Sequence, residues 1–283
     1  GFRELDRRLL FTRLGQDVDS TGSLRDDAIK RTLAAIAEFC AVCGEVSASR
    51  IRITCTSAVR DALNRDEFLL GAKRLSGVDP EVLSGEQEAR LSFDGATSEL
   101  DPGLYLVCDI GGGSTEFVLG DPSGSELSRV SLDMGSVRMT ERYLLSDPPA
   151  TEEILTMEAT IDDALDPVEV ALSGAGEARL VGVAGTVTSL AAMLLALEDY
   201  DPTRTHGLVM ARNSVDRLYS ELARMRIKER QVIPSLPSGR ADVIVAGASI
   251  LSRIMARWSH PELVVSEKDI LDGLVLEMLK GEN

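Results

Sequence analysis

Histidine, cysteine, aromatic residues and positive charge are all scarce in this chain of 283 residues. It contains two histidines and four cysteines, aromatic residues make up 4% of it, and its formal net charge is −16. Two histidines are too few for a histidine-rich metal site. An acidic chain lacks the basic surface that is typical of general nucleic-acid binders, so we expect no nucleic-acid partner.

The four cysteines fall within predicted helices and strands. They are Cys40, Cys43, Cys55 and Cys108. Free thiols in such positions usually act as small buried apolar side chains. Cys40 and Cys43 form a C-x-x-C pair late in a predicted helix with no second pair, so a redox or zinc role is the minority interpretation.

Long apolar runs are also missing. No run approaches the roughly 18 residues that a membrane helix needs, and no basic-then-apolar leader is visible. We therefore expect a cytoplasmic protein that does not bind a membrane. Hydrophobic residues make up 44% of the chain, and a chain of this length can bury a large core and suggests two domains.

The most informative motif is a glycine-rich corner between two apolar runs. It consists of Asp109, Ile110, Gly111, Gly112, Gly113, Ser114, Thr115 and Glu116. Three successive glycines let backbone N–H groups approach an anion with no Cβ in the way. Asp109, at the end of the first run, is placed to hold a hydrated Mg²⁺ against that anion.

The residues after this corner exclude two commoner phosphate loops. A Walker loop has Gly-Lys-Ser/Thr followed by a helix, and a dinucleotide loop also opens a helix. Here Thr115, Phe117 and Leu119 alternate with their neighbours, and period two predicts a strand. The corner therefore joins a hairpin. A plain turn is the alternative, but three glycines flanked by acidic residues favour a functional corner.

Strands alternate with helices along the chain, which is typical of a layered α/β architecture. Predicted strands cover 7–14, 50–55, 80–84, 104–110, 115–120, 126–133, 179–183 and 262–266. Predicted helices cover 24–45, 66–75, 151–172, 187–197, 213–225 and 241–258, with a short helix through Arg60, a closing helix from Asp269 and a loop over 201–212. The meander around the glycine corner predicts a mixed second sheet.

Two more segments place polar side chains where a strand becomes a helix. Ser84 is a plausible helix cap, and Glu86 and Glu88 in the first turn complement the helix dipole, which is a purely structural interpretation. A carboxylate at that junction can also orient and deprotonate a water molecule. Arg60 also follows a strand, and its guanidinium serves either a surface ion pair or a phosphate.

A second strand–glycine–hydroxyl pattern occurs at 182–186. Gly185 and Thr186 either contact a ligand or only allow close packing of strand on helix, and the sequence does not decide between the two. A glycine corner, a metal-holding carboxylate, a phosphate-binding arginine and a general base are most of what phosphoryl transfer requires, because that chemistry depends on positioning and charge neutralisation.

Six segments together resemble the exopolyphosphatase and guanosine pentaphosphate phosphohydrolase family. They are 56–61, 83–90, 109–116, 182–186, 237–242 and 266–273. The resemblance runs along nearly the whole chain and implies a two-domain, actin-like (ribonuclease H-like) ATPase fold of α/β class, with mixed sheets and a site in the interdomain cleft. It implies Glu88 as the catalytic base, Arg60 as a phosphate ligand, Asp109 and Glu116 as metal-linked acids, and Gly111, Gly112, Gly113, Ser114 and Thr115 as the phosphate-binding corner.

The same resemblance predicts where the domains lie. We expect a first domain over 1–93, a second over 94–283, a hinge near 92–100, and a closing helix over 269–283 that packs back on the first domain. We also expect that the first phosphate loop of the family, with its N-terminal strands, is absent from this chain, and that the extra helical C-terminal domains of longer members are absent too.

The predicted function is a Mg²⁺-dependent hydrolase, with Mn²⁺ as the other candidate metal, that releases terminal orthophosphate from inorganic polyphosphate. A polyanion would follow a local basic track that includes Arg60, with Arg65 or Arg90 as further candidates. A guanine base needs an aromatic or amide-lined pocket, and with 4% aromatic residues the sequence shows no convincing one. Guanosine pentaphosphate is the alternative substrate. A non-catalytic nucleotide sensor and a sugar or acetate kinase are the rival functions, and a homodimer is left open.

Overall fold

The computed structural model describes residues 4–280, and for 125–127 the backbone only. The chain forms two compact units, of which one ends at Leu83 and the other begins at Ser84. This division comes ten residues before the predicted boundary at 93/94, and the outermost residues of the two predicted domains lie outside the described ones. That these two units correspond to the two domains of the family stays a prediction.

The first unit is mainly helical. Its elements are α1 (Val18–Thr21), α2 (Asp26–Glu45), β1 (Thr54–Cys55), α3 (Ser57–Asp61), α4 (Arg65–Ser76) and β2 (Glu81–Val82). The two short strands pair in parallel, with Thr54 opposite Glu81. Ile29 of α2, Cys55 of β1 and Phe68 of α4 are buried in one small core, which joins the two long helices of this unit to its short strands.

The predicted strand over 7–14 is wrong. Residues 7–13 form neither helix nor strand, and Leu9, Leu10 and Phe11 are exposed. Alternation predicts a strand only where a neighbouring strand can bond to its backbone, and no strand among the described residues pairs with this segment.

The second unit carries six strands and nine α-helices within its described residues. The strands are β3 (Tyr105–Ile110), β4 (Thr115–Asp121), β5 (Ser125–Leu132), β6 (Arg179–Val183), β7 (Val209–Ala211) and β8 (Glu262–Val265). The helices are α5 (Gly85–Ala96), α6 (Ser136–Tyr143), α7 (Thr151–Ala171), α8 (Ala184–Leu194), α9 (Pro202–Thr205), α10 (Arg212–Arg224), α11 (Ile227–Arg230), α12 (Ile244–Arg257) and α13 (Ile270–Lys280).

The six strands form one mixed sheet in the order β5-β4-β3-β6-β8-β7. β3, β6 and β8 are parallel neighbours, whereas β4 and β5 continue the sheet as an antiparallel meander. The predicted α/β class and mixed sheet are confirmed. The predicted loop over 201–212 contains α9 and the edge strand β7, which pairs antiparallel with β8, because short segments give weak periodic signals.

Alternate residues of β3 enter different cores. Leu106, Cys108 and Ile110 join the larger core, which lies under α7, α8 and α12. Tyr105 and Val107 join a smaller core on the opposite face, where α5 contributes Ala89, Phe93 and Ala96. Because side chains alternate along a strand, Asp109 belongs to the face that α5 covers.

The closing helix α13 packs directly on α5. A Cβ atom at Gly95 of α5 would lie 1.9 Å from the carbonyl oxygen of Asp269, and a Cβ atom at Gly273 of α13 would lie 1.9 Å from the carbonyl oxygen of Leu91. The two helix backbones are therefore in contact, with one glycine from each. This crossing fixes α5, and with it the side chains that α5 presents to the sheet.

The cysteines are free thiols. Burial raises the pKa of Cys55 to about 11 and the pKa of Cys108 to about 12, so these thiols stay protonated near neutral pH, as the structural interpretation requires. Among the helices of the described residues, none is both long and apolar enough to span a bilayer.

Candidate active site

Asp109 and Glu116 are direct cross-strand neighbours. The register of β3 and β4 pairs Asp109 with Glu116 and Ile110 with Thr115, which places the two acidic side chains about 5 Å apart at their Cβ atoms. Both are buried, with exposed fractions of 9% and 2%. The hairpin therefore brings the two predicted metal-linked acids together on the face that α5 covers.

Glu88 joins them from above the sheet. Ser84 caps α5 through a capping box with Gln87, which starts the helix so that Glu88 and Ser92, one turn apart, share a face. The Ser92 hydroxyl donates to Asp109 Oδ2 over 2.5 Å, and Glu88 is 8% exposed. Glu86, in contrast, has a side chain that is 78% exposed and lies 3.7 Å from Arg129.

Negative charge is concentrated at this point. Burial raises the pKa of Asp109, and the nearby carboxylates of Asp269 and Glu88 raise it further, against the lowering effect of the Ser92 hydrogen bond. Burial also raises the pKa of Glu116, and the nearby charges of Glu88 and Asp109 raise it further. Hydrogen bonds from the hydroxyls of Ser114 and Ser131 lower it. These carboxylates repel one another, and a cation would relieve that repulsion.

The donor set suits a magnesium ion that is only partly held by protein. Within residues 4–280, no three or more His, Cys, Asp or Glu side chains are grouped so as to hold a metal on their own. Mg²⁺ typically uses one or two carboxylates and completes its shell with water and substrate phosphate. Asp109 and Glu116 are hard oxygen donors that fit this mode, and a thiolate or imidazole metal does not fit.

The glycine loop, residues 111–114, is fixed by its carbonyl groups. Ser136 N donates to Gly111 O over 2.9 Å, and Val137 N and Arg138 N both donate to Gly112 O, over 2.8 and 3.1 Å. The start of α6 binds the carbonyls of Gly111 and Gly112, and the N–H of Gly111 donates to Ser114 O over 3.0 Å. Among the described residues, the N–H groups of Gly112 and Gly113 have no backbone acceptor.

Two contacts hold α6 close to the glycine loop. A Cβ atom on Gly135 would overlap the backbone of Gly112 and Gly113, so only glycine permits this approach. The Thr115 hydroxyl donates to Met134 O over 2.5 Å. The loop is thus a supported concave backbone, which is the arrangement that binds phosphate oxygens.

Gly185 and Thr186 have packing partners that explain their small size. The guanidinium of Arg240 lies where a Cβ atom of Gly185 would be, and the Thr186 side chain lies 2.6 Å from the Cβ position of Gly247. Arg240 also donates to Gly185 O. These contacts support the packing interpretation, and the ligand contact stays a prediction.

Arg60 lies in the first compact unit. Its Nη1 donates to Leu83 O over 3.0 Å, and its Nε lies 3.9 Å from Asp61. The backbone carbonyl of Arg60 in turn accepts from Arg65 over 3.4 Å. These contacts order the arginine at the start of the segment that leads to α5, and its predicted contact with phosphate stays a prediction.

Several residues of this site were not predicted. Ser92, Ser131 and Asp269 contact or perturb the acidic pair, and Gly135 and Arg138 support the glycine loop. Ser92 had a usable signal, because it follows Glu88 by four residues on the same helix face. The others had none, since their roles depend on long-range pairing.

Comparison with known proteins identifies the family. The model of the Ppx/GppA phosphatase family matches residues 2–282. The chain belongs to the Ppx/GppA phosphatase family. It is 37% identical over 287 residues to the exopolyphosphatase 2 of Mycobacterium tuberculosis, a match that covers 97% of this chain and 89% of that protein.

Solved structures agree with this assignment. The crystal structure of an exopolyphosphatase-like protein matches with a TM-score of 0.95 at 38% identity, covering 99% of this chain and 94% of that one. The Ppx/GppA protein of Aquifex aeolicus matches with a TM-score of 0.80 at 31% identity, covering 96% and 88%. This Ppx/GppA member is therefore a hydrolase that acts on phosphoanhydride bonds, and it has the actin-like fold that the resemblance implied.

Proposed function

We propose that this Ppx/GppA protein is a Mg²⁺-dependent exopolyphosphatase that releases terminal orthophosphate from inorganic polyphosphate. The observation that carries the proposal is the meeting of Glu88, Asp109 and Glu116 beside the glycine loop. All three are buried, and the charge of Glu88 raises the pKa of both other acids. The similarity to an exopolyphosphatase over 97% of this chain supports the choice of substrate.

Glu88 would act as the general base. It would orient one water molecule and accept its proton as the water oxygen bonds to the terminal phosphorus. The bond between that phosphorus and the bridging oxygen would break, and the bridging oxygen would leave with the shortened chain. A positioned base of this kind contributes about 10²- to 10⁴-fold to the rate.

Asp109 and Glu116 would hold the magnesium ion, with Mn²⁺ as the other candidate. When bound, the metal supplies positive charge that neutralises phosphate oxygens. The amide groups of the glycine loop would bind the oxygens of the terminal phosphoryl group, and Arg60 would add a fork of donors. Excess chelator should abolish hydrolysis and added Mg²⁺ should restore it, whereas undiminished activity in chelator would refute the metal proposal.

Guanosine pentaphosphate is the alternative substrate. A guanine base needs an aromatic or amide-lined pocket, and the chain has 4% aromatic residues. A non-catalytic sensor would have no use for a carboxylate at the position of Glu88, and no separate acceptor motif supports a kinase. A homodimer and a cytoplasmic location stay predictions.

Separate assays of the two substrates decide between them. Polyphosphate and guanosine pentaphosphate are given in separate reactions to the same enzyme preparation, and orthophosphate release is measured in each. We expect a higher kcat/KM for polyphosphate. A much higher kcat/KM for guanosine pentaphosphate, at every polyphosphate chain length, would reverse the assignment.

A further inference from the structure

We propose that Arg138 is a positioning residue for phosphoryl transfer, which acts by holding the third carbonyl of the glycine loop. The inference rests on the proposed phosphate-binding role of that loop. Arg138 lies in the first turn of α6 and is half-buried. Its Nε donates to Gly113 O over 2.8 Å.

With the contact of Arg138, the carbonyl of each glycine in the loop accepts a hydrogen bond from the start of α6. The carbonyls of Gly111 and Gly112 accept from backbone N–H groups at the start of α6, and the Ser136 hydroxyl lies 3.3 Å from Gly111 O. The helix has no backbone donor left for Gly113 O, because its next N–H groups bond within the helix. The side chain of Arg138 reaches that third carbonyl instead.

Holding the third carbonyl fixes the direction of the neighbouring amide. A peptide unit is planar, so the N–H of Ser114 points opposite to the carbonyl of Gly113. Consecutive glycines rotate with little steric penalty, and an unheld peptide at Gly113 would turn over easily. A preorganised donor costs no reorganisation during the reaction, so the hydrogen bond from Nε would raise the rate of the chemical step.

We expect the effect to come from the hydrogen bond between Nε and Gly113 O, and two substitutions test this against an effect of the charge. Arginine Nε is the atom through which the side chain reaches Gly113. Glutamine carries an N–H donor at the same distance along the side chain, without the charge. Methionine has similar length and places a methyl group there. Comparing Arg138→Gln with Arg138→Met therefore separates the effect of the N–H donor from the effects of side-chain length and charge.

The expected results follow from this pair. Arg138→Met should lower kcat for polyphosphate by at least about tenfold with a small change in KM, because a displaced donor loses transition-state binding. Arg138→Gln should recover most of kcat. Arg142→Met, at an exposed position in the last turn of the same helix, is the matched control and should behave as the unmodified enzyme.

A second measurement does not depend on turnover. Hydrogen exchange of the segment that contains residues 111–115 should be faster in Arg138→Met than in Arg138→Gln or Arg142→Met. If Arg138→Met fails to fold, Arg138→Gln against the unmodified enzyme still tests the proposal, since loss of kcat in a folded Arg138→Gln protein would contradict it.

Other outcomes overturn the inference in distinct ways. Equal losses in Arg138→Gln and Arg138→Met with a raised KM would show that the charge contacts substrate. Full activity of Arg138→Met would show that the loop needs no such support. Glu88→Gln is measured in parallel: if it stays active the proposed function fails, whereas an inactive Glu88→Gln beside an active Arg138→Met removes only this inference.

Discussion

Asp109 and Glu116 show how single residues define this site. Each sits at a position where the strand alternation turns it to the face under α5, and each is opposite the other in the β3–β4 register. Burial alone disfavours the charged forms of two carboxylates at this place. Hydroxyl groups from Ser92 and Ser131 donate to them, and these hydrogen bonds partly oppose the rise in pKa that burial causes.

His260 offers a test of burial at the residue scale. It is 5% exposed, burial lowers its pKa, and no partner for its Nε2 is found among the described residues. The folded protein therefore holds a neutral imidazole, whereas the unfolded chain binds a proton below about pH 6.5. The contribution of His260 to the free energy of unfolding should be fully present above that pH. It should be lost as the pH falls through the pKa of His260 in the folded protein.

The measurement is the urea denaturation of the intact chain between about pH 7 and pH 5. The free energy of unfolding should decrease with falling pH at a rate of up to about 1.4 kcal/mol per pH unit from this group, and His260→Gln should show a shallower decrease. Parallel curves for the two proteins would mean that His260 does not contribute.

The sequence predicted part of this residue-level picture. Alternation along the hairpin already places Asp109 and Glu116 at the two ends of the glycine loop, and the resemblance selected Glu88 over Glu86. The structure supplies a reason for that choice, because Glu86 is exposed while Glu88 is buried near the acidic pair. Asp269 could not be predicted, since its approach to Asp109 depends on the packing of the last helix.

At the scale of elements, the crossing of α5 and α13 is the contact that positions Glu88. Gly273→Ala would place a methyl group on the carbonyl of Leu91, and backbone atoms cannot move aside as a flexible side chain can. We expect a loss of about 1–3 kcal/mol in the free energy of unfolding. Thermal or denaturant unfolding of the purified variant measures it.

Gly44→Ala is the matched control. Gly44 lies near the end of α2, and no atom lies within 4 Å of its Cβ position. The same substitution should therefore stabilise the protein there, by about 0.5–1 kcal/mol, because alanine favours a helix over glycine. Equal effects of the two substitutions would contradict the close crossing of α5 and α13.

Long elements were easier to predict than short ones. The helices α2, α7, α10 and α12 and the β3–β4 hairpin have strong periodic patterns, and the structure places them close to their predicted ranges. β7 was missed because three residues carry too little pattern. The strand expected over 7–14 had alternation, but a strand also needs a partner, which alternation does not reveal.

At the scale of the whole molecule, a net charge of −16 must coexist with a polyanionic substrate. Above about 0.1 M salt, repulsion beyond about 10 Å is already screened, so further salt acts mainly on direct contacts between phosphate and basic groups. KM for polyphosphate should therefore rise when salt is raised above that level, with little change in kcat. A KM that falls over this range would show that long-range repulsion dominates binding.

The role of Glu88 is tested by orthophosphate release from polyphosphate in Glu88→Gln and Glu86→Gln, which differ by two positions on one helix. We expect Glu88→Gln to remain folded and to lose about 10²- to 10⁴-fold in kcat, while Glu86→Gln, an exposed position, should keep nearly full activity. Full activity of Glu88→Gln would place the catalytic base elsewhere.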